Sequence, residues 1–203
     1  MMTRTLAAAL LLAASPAASA LAPRWGVGPQ LGTSVLPSGY PIAFPPALDD
    51  ATTLSKVRPD LSLGAVGYVW VPSGVMRGGI SADVDLGPRF VQSQIIGTVE
   101  RSFDLDAAYV DVGGGMGFSS ATWRGTDPDE RLRVPSYPVR LQLGVVTPIS
   151  DFIALEGRLY TQVAFPLRHT YTDPTGTPQD LHGAPLAYTS FGIELSALYG
   201  LFR

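Results

Sequence analysis

The sequence predicts an all-β fold: an eight-stranded antiparallel up-and-down transmembrane β-barrel. Three observations carry that expectation. Apolar and polar residues alternate with period two along the chain after its first twenty residues, and no helix-period stretch follows them. The alternating segments are even in number, and most are near the ~9–11 residues that cross a bilayer at a tilt. Their connections alternate in kind, with short turns (72–77, 104–106, 147–151) against connections that are mostly longer, as in a membrane barrel with tight turns at one rim and loops at the other.

The N-terminus reads as a targeting segment. Arg4 supplies a positive charge, Leu6 to Ala14 form a short apolar run, and Ala18-Ser19-Ala20 fits a small-x-small cleavage pattern. That run is well short of the ~20 residues of a membrane-spanning helix. The expected organisation is a cleaved secretory signal over 1–20 and one barrel domain over 21–203. With no cysteine, the chain has neither a disulfide framework nor a lipidation site after the cut. Charged residues are 15% of the chain, with Lys56 the one lysine, against roughly 25% in typical soluble domains. A net charge of −3 gives no reason to expect a nucleic-acid partner.

Each segment follows from its alternation. In 24–36, Trp25, Val27, Leu31 and Val35 share one face, and Gly26, Gly28, Gln30 and Gly32 the other. Pro29 interrupts it: proline donates no ladder hydrogen bond and a closed barrel has no free edge, so a bulge or a register shifted by one residue is expected there. A Pro/Asp-rich loop, 37–60, follows. Segment 61–71 is apolar on both faces, which leaves its phase open. In 78–87, Ile80, Ala82, Val84 and Leu86 oppose Ser81, Asp83, Asp85 and Gly87; in 94–103, Ile95, Val99 and Phe103 oppose Thr98, Glu100 and Ser102. Segment 107–122 contains VDVGGGMGF (110–118). Its glycines raise the question of a phosphate loop, but the G-x-G-x-x-G pattern fails at Phe118 and no helix or Lys-Ser/Thr follows. Val110, Val112, Met116 and Phe118 alternate instead with Asp111, Gly113, Gly115 and Gly117, so the stretch reads as a strand with glycines facing inward. A charged loop is expected over 124–136. Segment 137–146 sets Tyr137, Val139, Leu141, Leu143 and Val145 against Arg140, Gln142 and Gly144. Segment 152–163 sets Ile153, Leu155, Leu159 and Val163 against Glu156, Arg158, Tyr160 and Gln162. After a Pro-rich loop, 164–185, the segment 187–202 sets Phe191, Ile193, Leu195, Ala197, Tyr199 and Leu201 against Ser190, Glu194, Ser196 and Gly200.

The composition of the two faces sets which way the barrel is turned. A soluble exterior would be rich in charge. Here the polar face is Gly, Ser, Thr and Gln with scattered charge, which suits a crowded interior. The apolar face carries almost no charge in its middle, as lipid demands: Arg or Lys facing the bilayer midplane costs ~2–4 kcal/mol. Trp25, Trp70, Phe103, Phe118, Trp123, Tyr137, Phe152 and Tyr199 lie near segment ends, where interfacial aromatic belts form.

The export signal, the eight alternating segments and the final segment FGIELSALYGLFR together resemble the small eight-stranded outer-membrane barrels of the OmpA/OmpX type. The resemblance covers roughly the whole chain after the signal. It implies the outer membrane of a Gram-negative-type envelope, lipid including lipopolysaccharide as the surroundings, and a last strand read by the barrel-assembly machinery during insertion. In that family the last strand is hydrophobic at alternate positions and ends in an aromatic residue. Ile193, Leu195, Ala197, Tyr199 and Leu201 hold the alternate positions, but the terminal residue is Arg203, with Phe202 before it on the opposite phase.

The inward positions hold the most specific constellation: Asp83, Asp85, Glu100, Asp111, Arg140, Glu156, Arg158 and Glu194. Charges in a barrel interior must be paired or hydrated, and an eight-stranded barrel is just wide enough for side chains to fill. The favoured reading is a barrel-interior charge network that plugs the lumen, with a narrow acidic channel as its rival. Enzymatic chemistry is thinly supported. His169 stands beside Thr170, Thr172 and Asp173, but Tyr171 occupies the place of the serine in a His-x-Ser arrangement. Two scattered histidines without cysteine make no metal cluster. Asp127, Asp129 and Glu130 suit at most a weak surface cation, and Arg124, Arg131 and Arg133 suit lipopolysaccharide phosphates. The expected role is structural or surface-interacting, with no catalytic site, no cofactor, no metal and no identified small-molecule ligand. The alternatives are the narrow channel, a loop-borne lipid-modifying enzyme and a soluble periplasmic ligand-binding barrel.

Overall fold

The computed structural model describes residues 24–35, 59–71, 74–87, 90–125, 127–181 and 188–202. The expected signal, 1–20, and nearly all of the expected loop 37–60 fall outside the described residues. Ten strands are described: β1 (Trp25–Val35), β2 (Pro59–Trp70), β3 (Met76–Gly87), β4 (Phe90–Asp104), β5 (Tyr109–Arg124), β6 (Arg131–Pro148), β7 (Ile153–Pro166), β8 (His169–Thr172), β9 (Pro178–Leu181) and β10 (Tyr188–Leu201). Eight of them, β1 to β7 and β10, pair antiparallel with their neighbours, and the β1–β10 and β5–β6 ladders close the ring. The expected barrel is therefore the observed fold.

The registers fix its geometry. Stepping across the pairs from Trp25 to Val69, Gly78, Val99, Gly114, Leu141, Thr161 and Phe191 returns to β1 at Val35, ten residues further on. A shear of ten over eight strands corresponds to a tilt of about 40°, so each residue climbs about 2.5 Å along the barrel axis. An apolar band ~25 Å tall then takes about ten residues per strand, and every barrel strand has at least 11.

One rim holds the tight turns. Gly74 at φ 68° lets the Val71 carbonyl accept from its amide. Asp106, with φ 64°, is held by the Asp104 carboxylate accepting from its amide at 3.0 Å. Ser150 Oγ accepts from the amides of Phe152 and Ile153. Both ends of the barrel ring, Trp25 and Leu201, meet at this rim.

The opposite rim departs from the expected loops. The loop expected over 124–136 is mostly strand: β5 and β6 run on to Arg124 and Arg131 above the barrel, leaving 125–130 as the connection. The loop expected over 164–185 contains β8 and β9. The β6–β7 register reaches Ser136↔Pro166, and the β6–β8 register resumes at Arg133↔Thr170 with one extra residue on the β7–β8 side. So β8 continues β7 past a one-residue bulge, and β9 folds back on it as a hairpin. Pro29 causes neither a bulge nor a register shift. The β1–β10 pairing has the same phase at Val27↔Tyr199 and Gln30↔Ser196 and lacks only the bridges at residues 28 and 29. Gly28 lets the strands stay close there, since a Cβ would collide with the Ala197 carbonyl.

The outward face carries apolar side chains such as Leu31, Ile80, Ile95, Leu141, Leu159 and Leu195, all more than half exposed. Trp25, Phe103, Phe152 and Tyr199 mark the turn rim, and Phe118, Tyr137, Phe165 and Phe191 the other edge. Phe103↔Val110 and Phe118↔Ile95 place the two belts eight residues apart along β5, or about 20 Å along the axis at 3.3 Å per residue and this tilt. Two of the residues expected in these belts are not in them. Trp70 and Trp123 are 2% and 4% exposed and point inward, because the true phases of β2 and of the β5 extension put them on the inner face. Between the belts, Arg101 is the one outward charge among the described residues. It lies over the Phe103 ring at 5.1 Å, from where a long side chain reaches the nearby headgroups.

Candidate functional site

The barrel interior is layered, and strand phase builds each layer. At the turn rim an apolar floor spans the lumen: Val66, Tyr68 and Trp70 from β2, Val146 from β6, Ala154 from β7, Leu198 from β10, and Phe202. β2 and β6 are opposite staves of the barrel, so these side chains meet across its axis. Trp70 stacks edge-on against Phe202 with centroids 6.0 Å apart.

On this floor sits Arg77, 1% exposed, its guanidinium carbon 3.9 Å from the Tyr68 ring centroid. It crosses the lumen from β3 to three carboxylates: Glu100 on β4 at 2.7 Å, Asp111 on β5 at 3.2 Å and Glu156 on β7 at 2.5 Å. The three carboxylates lie close enough together to suit a cation, and the Arg77 guanidinium fills that role. Glu156 also meets Arg158 at 2.9 Å. Arg158 reaches Glu194 on β10 at 3.2 Å, and Glu194 takes Arg140 from β6 at 2.8 Å. Arg140 stacks on Tyr160, 3.9 Å from its centroid, and donates to Gln162 at 3.2 Å. Above it, Gln162 donates to Gln94 and Gln94 to Asp83.

All eight charges expected inside are buried. Glu100, Asp111, Glu156, Arg158, Glu194 and Arg140 join one network. Asp83 and Asp85 stand apart near its outer end and make no ion pair among the described residues; Asp83 accepts from Gln94 at 2.6 Å. Sequence reasoning missed Arg77, the network's hub, because the expected turn over 72–77 took in Met76 and Arg77 and the strand was started only at Gly78. The signal was present: the inward phase of Asp85, Asp83, Ser81 and Gly79, continued backwards, reaches residue 77.

The inward glycines serve the same packing. A Cβ at Gly113, Gly115 or Gly117 would collide with β4 carbonyls of Val99, Gly97 or Ile95, so β5 bends tightly against β4 only because these positions are bare.

Above the outer belt, Phe90, Ala121, Trp123, Leu132, Val134 and Tyr171 form a second buried apolar group on the inner face of the strand extensions. Phe90 and Trp123 pack at 5.0 Å, and the Tyr171 hydroxyl donates to Glu130 at 2.7 Å. Burial and that hydrogen bond push the Tyr171 hydroxyl up to about 12. Asp173, the carboxylate expected beside His169, is taken up by the β8–β9 turn: it accepts from the Thr175 hydroxyl at 2.6 Å, from the Thr175 and Thr177 amides, and from Gln179. His182 lies outside the described residues.

The sequence matches no protein-family model and no curated protein. Solved structures do resemble the fold. Neisserial surface protein A matches with a TM-score of 0.56 at 10% identity, covering 87% of this chain and 96% of that one. The outer-membrane protease OmpT from Escherichia coli gives 0.43 at 6% identity over 93% and 99% of the two chains. The translocator domain of the autotransporter NalP from Neisseria meningitidis gives 0.42 at 10% identity over 98% and 95%. The closed antiparallel ring, the lipid-suited exterior and the likeness to Neisserial surface protein A make the fold that of an outer-membrane β-barrel.

Proposed function

We propose that this protein is an OmpA/OmpX-like barrel of a Gram-negative-type outer membrane, with a structural or surface-interaction role and no catalytic one. The turn rim faces the periplasm, and the β5–β6 extension and the β8–β9 hairpin face outward. Its surroundings are outer-membrane lipid including lipopolysaccharide. During insertion the barrel-assembly machinery reads the last strand through outward Ile193, Leu195 and Tyr199.

The observation that carries this reading is the filled lumen. An apolar floor and a net of paired charges above it occupy the space that ions would need. Moving an ion through would require parting Tyr68, Trp70 and Phe202 and breaking ion pairs that no bulk water replaces. The test is planar-bilayer recording of the refolded protein. The expected result is the absence of discrete conductance steps; steady cation-selective steps would overturn the reading in favour of the narrow channel.

A further inference from the structure

Three arginines that composition places in a loop lie on a strand face. Arg124 is paired directly opposite Arg131, and Arg133 lies opposite Thr122 on one side and Thr170 on the other. Strand alternation turns all three outward, on the same face as Phe118 and Tyr137, and all three are exposed. Like charges placed directly opposite across a ladder destabilise it. Here no described carboxylate forms an ion pair with any of the three; among the described residues, Arg133 Nε donates to Ser120 Oγ at 3.3 Å. Around them stand further hydroxyls, from Thr122, Thr170 and Thr172.

Height identifies the ligand. Phe118 stands at the level of Tyr137, their ring centroids 6.2 Å apart, and the arginines lie four to six residues beyond. At a tilt of about 40° that is roughly 10–15 Å above the aromatic belt. Phospholipid headgroups occupy only about 5–8 Å on each side of the hydrocarbon. Anions at the arginines' level belong to a lipid whose phosphates stand on an extended saccharide headgroup, and guanidinium forks suit phosphate.

We propose that the outward face of the β5–β6 extension, through Arg124, Arg131 and Arg133, is a docking site for the saccharide-borne phosphates of lipopolysaccharide. The proposal rests on the outward orientation of this rim, which is tested separately.

The experiment follows thermal unfolding of the refolded protein in detergent micelles, read by the shift between folded and unfolded gel mobility. Phosphorylated rough lipopolysaccharide, the same glycolipid after dephosphorylation, phosphatidylglycerol and inorganic phosphate are each added. Phosphorylated glycolipid is expected to raise the unfolding temperature, with the other three giving little or no shift. R124Q/R131Q/R133Q is expected to need at least tenfold more glycolipid for the same shift. R101Q, at the other rim, is expected to behave as wild type, and R124K/R131K/R133K to fall between. An unchanged response of the triple glutamine variant, or equal stabilisation by phosphatidylglycerol or by the dephosphorylated glycolipid, would overturn the site. If the triple glutamine variant does not fold, the glycolipid comparison on the wild type and the lysine variant still decides. Orientation is read from D127C labelled by an impermeant maleimide on intact cells. Failure to label would overturn the outward reading, whatever the lipid result.

Discussion

Arg77 carries more of the interior than any other side chain. Among the described residues it is the one cation that reaches all three of Glu100, Asp111 and Glu156, with Glu156 shared with Arg158, and it rests on Tyr68. Removing one partner of a buried pair leaves uncompensated charge, at a cost of about 3–5 kcal/mol. R77M is therefore expected to lower unfolding stability by about that amount, measured by urea titration of tryptophan fluorescence in vesicles. E100Q, which removes only one of three partners, should cost clearly less. An R77M midpoint equal to wild type would show that the network is not rigidly paired. At this scale legibility depended on neighbours. Glu156, Arg158 and Glu194 could be placed inside because clean alternation surrounds them. Arg77 escaped because glycines follow it, and glycine carries no polarity to mark a face. Trp70 escaped because both faces of its strand are apolar, so its phase is set by the ladder with β1 and not by its own pattern.

Among the elements, the β8–β9 hairpin is the one that composition concealed. Proline, threonine and aspartate mark turns, and that is what they do at 173–177, but the flanking tetrapeptides pair only because β6 extends far enough to template them. The turn is held by Asp173. The Thr175 hydroxyl, followed by backbone amides, holds its carboxyl below the ordinary value of 3.8. A carboxyl depressed in the folded state contributes stability above its unfolded value and loses it as pH falls through the native one. Amide-exchange protection of the hairpin is thus expected to be constant at neutral pH and to decline only below about pH 4. D173N should lower protection throughout and remove the pH step. A step that persists in D173N would assign it to another group. Pro29 teaches a related lesson. Its missing donor was legible, and its tolerance was not, because closure on the β2 side and the bare Gly28 keep the register intact.

For the whole molecule, closure is the source of stability. In lipid every backbone group needs an internal partner, and a closed ring supplies them all along the ladder. Opening one seam exposes two edges at once, so the barrel is expected to resist piecemeal unfolding. Unheated protein in dodecyl sulfate should migrate as a compact species and shift to its full apparent mass on boiling, and the protein should fractionate with membranes. Recovery as a soluble protein without detergent would contradict the outward apolar face.

The sequence by itself determined the strand period, the number of staves and, wherever one face is polar, the inside–outside assignment, because there these are local: successive residues face opposite ways whatever the partner strand does. VDVGGGMGF shows this, its Gly113, Gly115 and Gly117 readable as inward from spacing alone. Only the tertiary structure decided the shear, the hub at Arg77, the apolar floor, and the strand extensions that carry Arg124, Arg131 and Arg133. Those features arise from register and from contacts across the lumen, which join residues far apart in the chain and are set by the closing of the ring.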